Sequence, residues 1–175
     1  MTRKTTNNKA NADDKPEISQ EQELTVNEQG AEPEAGAVAV SHYSNIVLQG
    51  KAKKLSPKTE NHVFYELAVH DEENELYLRL SGNEGGGLHS KEWIKLQDIL
   101  TVLEDQDDKS FKSTALKPVF KGGSANNSGF LAASLRGLLL ISPSEKSVFL
   151  HVLAENYTQR CDELLSLVGE ADTAK

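Results

Sequence analysis

Residues 45–59 read Asn-Ile-Val-Leu-Gln-Gly-Lys-Ala-Lys-Lys-Leu-Ser-Pro-Lys-Thr, and this stretch decides how the rest of the chain is interpreted. Alternate positions over 46–52 are apolar or small, whereas Gln49, Lys51 and Lys53 share the opposite face, which is the two-residue period of a half-buried strand. The stretch holds four lysines and no acidic residue, although the formal net charge of the chain is -8. The first expectation is therefore a strand with one basic face.

The length and cysteine content favour one ordinary intracellular domain. A chain of 175 residues can bury a core that is stable without metal or disulfides. The single cysteine, Cys161, excludes an internal disulfide and is typical of a reducing compartment. No apolar run is long enough to span a membrane, and no secretory signal pattern is present. These features predict a cytoplasmic protein without membrane contact.

The charge is unevenly distributed along the chain. Residues 1–41 carry four basic and eight acidic side chains with little branched or aromatic content, which predicts a disordered acidic tail. This tail is either an inert solubilising segment or a polyanion that competes for the basic strands or recruits a protein partner. Residues 42–168 are nearly balanced and form the expected domain, and 169–175 form a short disordered end.

The first half of the domain reads as three strands and a helix. After the first strand, which begins near Ile46 and precedes a loop at 56–61, further strands are expected at 63–69 and 75–80, and a helix at 91–104 with Ser90 as its N-cap. The helix carries an apolar stripe formed by Trp93, Leu96, Ile99, Leu100 and Leu103. These residues are expected in the core.

The second half repeats this order. Strands are expected at 111–121, 130–141 and 148–153, followed by a closing helix that Asn156 and Gln159 cap. The stripe of this helix, which includes Cys161, lies 65 residues after that of the first, and several strand positions correspond at a displacement of 68. The predicted fold class is α+β, with two pseudo-symmetric antiparallel sheet-plus-helix repeats at about 42–105 and 109–168.

Residues 129–141 admit a second interpretation. Leu131, Leu135, Leu138 and Leu139 also have helical spacing. A helix here, followed by a hairpin that ends at 148–153, would form a winged helix that binds duplex DNA.

The sequence of residues 43–56 resembles a known motif, Lys-Gly-Lys-Ala-Ala-Leu-Ser, of the Whirly family of single-stranded-DNA-binding proteins. The matching positions, with one extra residue allowed after Ala52, are Gly50, Lys51, Ala52, Leu55 and Ser56. Gln49 stands where the motif begins with lysine. The resemblance implies two copies of an antiparallel sheet followed by a helix, and binding of single-stranded nucleic acid across the sheets.

A second resemblance concerns the approach to the first helix. Leu88, Trp93 and Leu96 are similar to the leucine, tryptophan and leucine of the related transcriptional positive-coactivator proteins. Those proteins dimerise, and homotetramers are common among Whirly members. The resemblance therefore implies a homo-oligomer, dimer or tetramer.

A nucleic-acid site built on these strands needs cations for phosphates and flat rings for bases. The candidate cations are Lys51, Lys53, Lys54, Lys58, Lys117, Lys121 and Arg136, the candidate rings are Phe64, Tyr77, Phe120 and Phe130, and Arg79 could serve either role. We expect DNA or RNA binding with little sequence preference. The alternatives are lysines that only protect an edge strand, rings that belong to the core, and a protein-interaction module whose strand edges pair subunits.

No catalytic constellation is evident in the sequence. The five histidines have no metal-ligand spacing among themselves or with Cys161, so neither metal nor cofactor is expected. Gly85, Gly86 and Gly87 precede Ser90 and Lys91 but lack the phosphate-loop spacing. The expected activity is non-catalytic binding.

Overall fold

The computed structural model describes residues 41–173 of the chain. The predicted tail lies almost entirely outside these residues. The closing helix extends to Thr173, so residues 169–173, predicted to be disordered, are helical.

The first half forms a four-stranded antiparallel sheet and a helix. Its elements are β1 (Asn45–Lys53), β2 (His62–Val69), β3 (Leu76–Asn83), β4 (Ile94–Lys95) and α1 (Leu96–Glu104), and the strands follow the order β1-β2-β3-β4. The three predicted strands are confirmed. The predicted helix start is wrong, because Ile94 and Lys95 pair with Leu78 and Tyr77 of β3 and delay the helix to Leu96.

The second half combines short strands with helices. Its elements are β5 (Phe111–Lys112), a 3-10 helix (Ser113–Val119), α2 (Asn127–Gly137), β6 (Ile141–Ser144), β7 (Ser147–Leu153) and α3 (Tyr157–Thr173). The three strands form an antiparallel sheet in the order β5-β7-β6. The α+β class is thereby confirmed, as are the strand near 148–153 and the closing helix.

Two predicted strands of the second half are wrong. Residues 130–141 are mostly the helix α2, because Leu131, Leu135 and Leu138 recur at helical spacing and all three are buried. The predicted strand 111–121 keeps only its first two residues as a strand before the 3-10 helix, which contains Pro118. The second half therefore does not repeat the strand order of the first. A helix before the β6–β7 hairpin is the order that the second interpretation of residues 129–141 gives.

The core lies between the first sheet and the helices. Alternate residues of β2 and β3 point inward, and Leu67, Leu78 and Leu80 are at most 1% exposed. Helix α2 packs on β1 and β2, and α1 packs on β3 and β4. The side chains of the first sheet that point away from this core form a separate face, called the outer face below.

One strained residue ends helix α2. Leu139 has a φ of 62°, the left-handed conformation that favours glycine, and its side chain is 56% exposed. The N–H of Leu140 donates to the carbonyl oxygen of Leu135 over 3.0 Å, as in the helix-ending motif that normally carries glycine.

Leu139→Gly is therefore expected to raise the free energy of unfolding by about 0.5–1 kcal/mol, because the relief of backbone strain in the folded protein outweighs the extra conformational entropy of the unfolded chain. Urea unfolding of the two proteins measures the change. Leu139→Ala is the matched control, because it shortens the same exposed side chain but keeps the Cβ atom. If the two variants are equally stable, the backbone conformation at Leu139 does not destabilise the folded protein.

Candidate nucleic-acid interface

The outer face of the first sheet is set by strand register. Lys51 pairs with Phe64, and Gln49 pairs with Glu66 across β1 and β2. Glu66 pairs in turn with Arg79 of β3. A bulge shifts the next pair so that Phe64 lies opposite Gly82. Cations, one ring and a carboxylate thus share one face, of which the alternation of β1 predicts only the residues of that strand.

A shallow groove of about 320 Å³ opens beside Phe64. Its lining residues are Gln49, Gly50, Phe64, Tyr65, Glu66, Ser81 and Gly82. A Cβ atom at position 82 would stand 3.6 Å from Cδ2 of Phe64, so glycine keeps the space beside the ring open. Phe64 is half-buried, which leaves part of its ring accessible.

The two lysines of β1 are accessible. Lys51 is exposed and has no ion pair among residues 41–173. The Lys53 ammonium lies 2.7 Å from Oε1 of Glu60, and both side chains are largely exposed. Such a surface pair contributes little stability, so Lys53 can exchange its carboxylate for a phosphate. Lys58 is exposed in the following loop.

Lys54 has a different role from the predicted one. Its ammonium donates to the carbonyl oxygens of Glu84 and Gly86 and to Oδ1 of Asn83, and it lies 4.8 Å from the ring centroid of Phe130. These contacts fix the glycine-rich loop against α2. Lys54 and Phe130 are therefore engaged within the fold, and neither is on the outer face.

Arg79 and Tyr77 lie on the outer face but have internal partners. Nε and Nη2 of Arg79 each lie 2.8 Å from Oε2 of Glu66, and its guanidinium covers the ring of Trp93 at 4.5 Å. The Tyr77 hydroxyl donates to Glu73 over 2.6 Å. Burial, and then the hydrogen bond to Glu73, raise the pKa of Tyr77 above its ordinary value.

An aromatic cluster adjoins these residues, and sequence reasoning missed it. Its members are His42, Tyr43, His70, Tyr77 and Trp93. Trp93, predicted on the helix stripe of the core, precedes β4 and is half-buried. The Tyr43 ring stacks on it with centroids 4.7 Å apart, and the Arg79 guanidinium lies 4.5 Å from its ring centroid, so Trp93 already has two partners within the fold. The only sequence signal was an aromatic residue just before β1.

The candidates of the second half do not join the outer-face groove. Lys117 and Lys121 are exposed on and after the 3-10 helix, and Phe120 packs against the core. Nη2 of Arg136 donates to the carbonyl oxygens of Val148 and Leu150 over 2.7 and 3.2 Å. Burial lowers the pKa of Arg136. This guanidinium supports β7 and is not a free phosphate ligand.

A buried serine–histidine pair also involves Arg136. His151 is fully buried, with Nε2 2.9 Å from Oγ of Ser113 and Nδ1 3.2 Å from Nε of Arg136. Because an arginine only donates, Nδ1 of the neutral ring must accept and Nε2 must carry the proton. In this tautomer His151 donates to Ser113 and cannot take its proton. The pair connects β7, α2 and the 3-10 helix.

In a winged helix, α2 would be the helix that enters a DNA groove, but in this structure α2 is covered. Seven residues of α2 are buried, including the polar Asn127, Ser128 and Ser134. The Tyr65 hydroxyl lies 2.9 Å from where a Cβ atom of Gly137 would stand, so the first sheet packs directly on α2. Without an exposed side-chain row, α2 is not suited to reading base edges in a groove.

Residues 41–173 carry neither a metal-binding cluster nor a membrane-spanning helix. This part of the chain contains no group of three or more histidine, cysteine, aspartate or glutamate side chains placed to hold a metal ion. None of its helices combines the length and apolarity that crossing a membrane requires.

Comparison of the sequence and structure with family models, curated proteins and solved structures gives no match. The function is therefore argued from the geometry of the outer face.

Proposed function

We propose that the outer face of the first sheet binds single-stranded DNA or RNA without catalysis. The observation that carries the proposal is the pairing of Lys51 with Phe64 beside an open groove. Side chains directly opposite on antiparallel strands have Cβ atoms about 5 Å apart, so a ring and an exposed ammonium stand side by side. A nucleotide needs this combination, because its base stacks on a ring while its phosphate binds a cation.

The expected binding is modest and mildly salt-dependent. Within residues 41–173, the exposed cations near β1 are Lys51, Lys53 and Lys58, fewer than the sequence predicted. If about two or three phosphates are neutralised, a plot of the logarithm of the binding constant against the logarithm of the salt concentration should have a slope of about -1.4 to -2.

The two alternatives have weaker support. Duplex binding through a winged helix requires an exposed reading helix, and α2 is buried. A protein-interaction module is favoured by Val148 and Phe149, neighbouring apolar residues of β7 that are both about half exposed. The proposals of a homo-oligomer, of a cytoplasmic location and of a Whirly relationship rest on the sequence features alone.

Fluorescence anisotropy with a labelled single strand of about 12 nucleotides and its duplex tests the proposal. Phe64→Ala should weaken single-strand binding by about 5- to 150-fold, because stacking contributes about 1–3 kcal/mol per base. Lys51→Glu should weaken single-strand binding and should make the salt slope shallower by about the contribution of one phosphate contact.

Lys146→Glu is the matched control, because Lys146 lies at the β6–β7 turn and is exposed. It should leave single-strand binding unchanged. A preference for duplex that Lys146→Glu abolishes would support the winged helix instead. Absence of salt-sensitive binding to either probe would support the interaction module.

A further inference from the structure

The floor of the outer-face groove carries a fixed carboxylate. The side chain of Glu66 is 15% exposed, and its Oε2 atom accepts both Nε and Nη2 of Arg79. Arg79 is itself held by the Trp93 ring at 4.5 Å. Since the two nitrogens and the ring fix the guanidinium, Glu66 cannot turn away from the groove without breaking these contacts.

Glu66 also retains capacity to accept a hydrogen bond. Its Oε1 atom accepts one N–H from Nε2 of Gln49 over 2.9 Å. An ionised carboxylate oxygen has two acceptor positions, so Oε1 keeps one of them. Because a carboxylate cannot donate, the Gln49 amide must turn its nitrogen toward Oε1. This orientation leaves one amide N–H and the carbonyl oxygen of Gln49 for a ligand.

We propose that this groove selects bases that carry an exocyclic amino group, a specificity that rests on the proposed single-strand binding. A base stacked on Phe64 has its polar edge next to Glu66 and Gln49, which line the same groove. Adenine, cytosine and guanine each offer an amino N–H to the free position of Oε1. In the same stacked position thymine and uracil place a carbonyl oxygen where cytosine has its amino group, and this oxygen would face a carboxylate that cannot donate.

The test compares oligothymidines of about 12 nucleotides that differ at one central position. One probe carries adenine there, and the other carries purine, which is adenine without its amino group. Wild-type protein should bind the adenine probe at least about 5-fold more tightly, the low end of discrimination by a specific base contact. Glu66→Gln keeps the side-chain shape but loses one acceptor-only oxygen, so it should reduce this ratio to about one.

Glu60→Gln is the matched control, because Glu60 is exposed, pairs with Lys53 and does not line the groove. It should retain the preference for adenine. Equal binding of the two probes by wild-type protein, with binding still dependent on Phe64, would overturn the inference and leave the proposed function standing. A preference that survives Glu66→Gln would also overturn it. Absence of any Phe64-dependent binding would overturn the proposed function, and the inference with it.

Discussion

Gly50→Ala is expected to lower the free energy of unfolding by about 3 kcal/mol, at the upper end of the usual cost of overpacking a core. A Cβ atom at position 50 would stand 2.5 Å from the hydroxyl oxygen of Tyr65 and nearer still to Cζ, closer than side chains tolerate. The ring has little room to retreat, because Tyr65 is 4% exposed and its hydroxyl already abuts Gly137 of α2. Urea unfolding followed by far-UV circular dichroism measures the loss.

Gly82→Ala supplies the comparison, since both glycines lie in strands of the same sheet. A Cβ atom at position 82 meets only Phe64, at an ordinary 3.6 Å, so the expected change is below about 1 kcal/mol. If both alanine variants lose the same stability, the contact between Gly50 and Tyr65 does not limit packing.

A double-mutant cycle isolates this contact. Tyr65→Ala alone should cost about 3–5 kcal/mol, as large-to-small changes of buried aromatic residues do. In that background Gly50→Ala should cost much less, because the ring it clashes with is gone. Additive losses would place the cost of Gly50→Ala elsewhere, for example in backbone conformation.

The close packing of Gly50 on the Tyr65 ring gives this glycine a role that the sequence alone did not supply. In the structure two glycines, one on β1 and one on α2, accommodate a single tyrosine ring. That arrangement lets α2 pack on the sheet, and it leaves the outer face as the free face of β1 to β3.

The first sheet could be predicted because its signals are local. A two-residue alternation with one buried face specifies a strand and its register, and β1 to β3 follow it. Residues 129–141 were ambiguous because a leucine-rich run fits either period. Only the apparent repeat favours a strand at these residues, and the core instead accommodates the helical stripe of α2.

The site was harder to predict because its residues find partners far along the chain. Lys54 looked like its neighbours Lys51 and Lys53, yet it binds the loop near residue 84, thirty positions away. Arg136 likewise binds carbonyl groups of β7. Burial and pairing depend on which segments meet, and a count of nearby charges does not contain that information. The position of Phe64 opposite Lys51 depends on the pairing register of β1 and β2, which the alternation within each strand does not specify.

The stability of the protein should fall on mild acidification because of His151. Burial, and then the nearby charge of Arg136, lower the pKa of His151 from its ordinary 6.5 to about 4. Between these values the unfolded chain binds a proton that the folded chain excludes, so stability is full above about pH 6.5 and is lost as the pH falls toward 4. The expected loss between pH 7 and pH 5 is about 2 kcal/mol.

Urea unfolding at pH 7 and pH 5 measures this loss, and His151→Gln separates it from the titration of carboxylates. The variant should be less stable at pH 7, because the contact with Ser113 is disturbed, but its stability should change by about 2 kcal/mol less between the two pH values. Ser113→Ala removes the hydroxyl 2.9 Å from Nε2 yet keeps the buried ring beside Arg136, so it should retain the wild-type dependence. If wild type and His151→Gln lose stability equally, His151 binds its proton as readily in the folded protein as in the unfolded chain, and the neutral tautomer assigned to it is wrong.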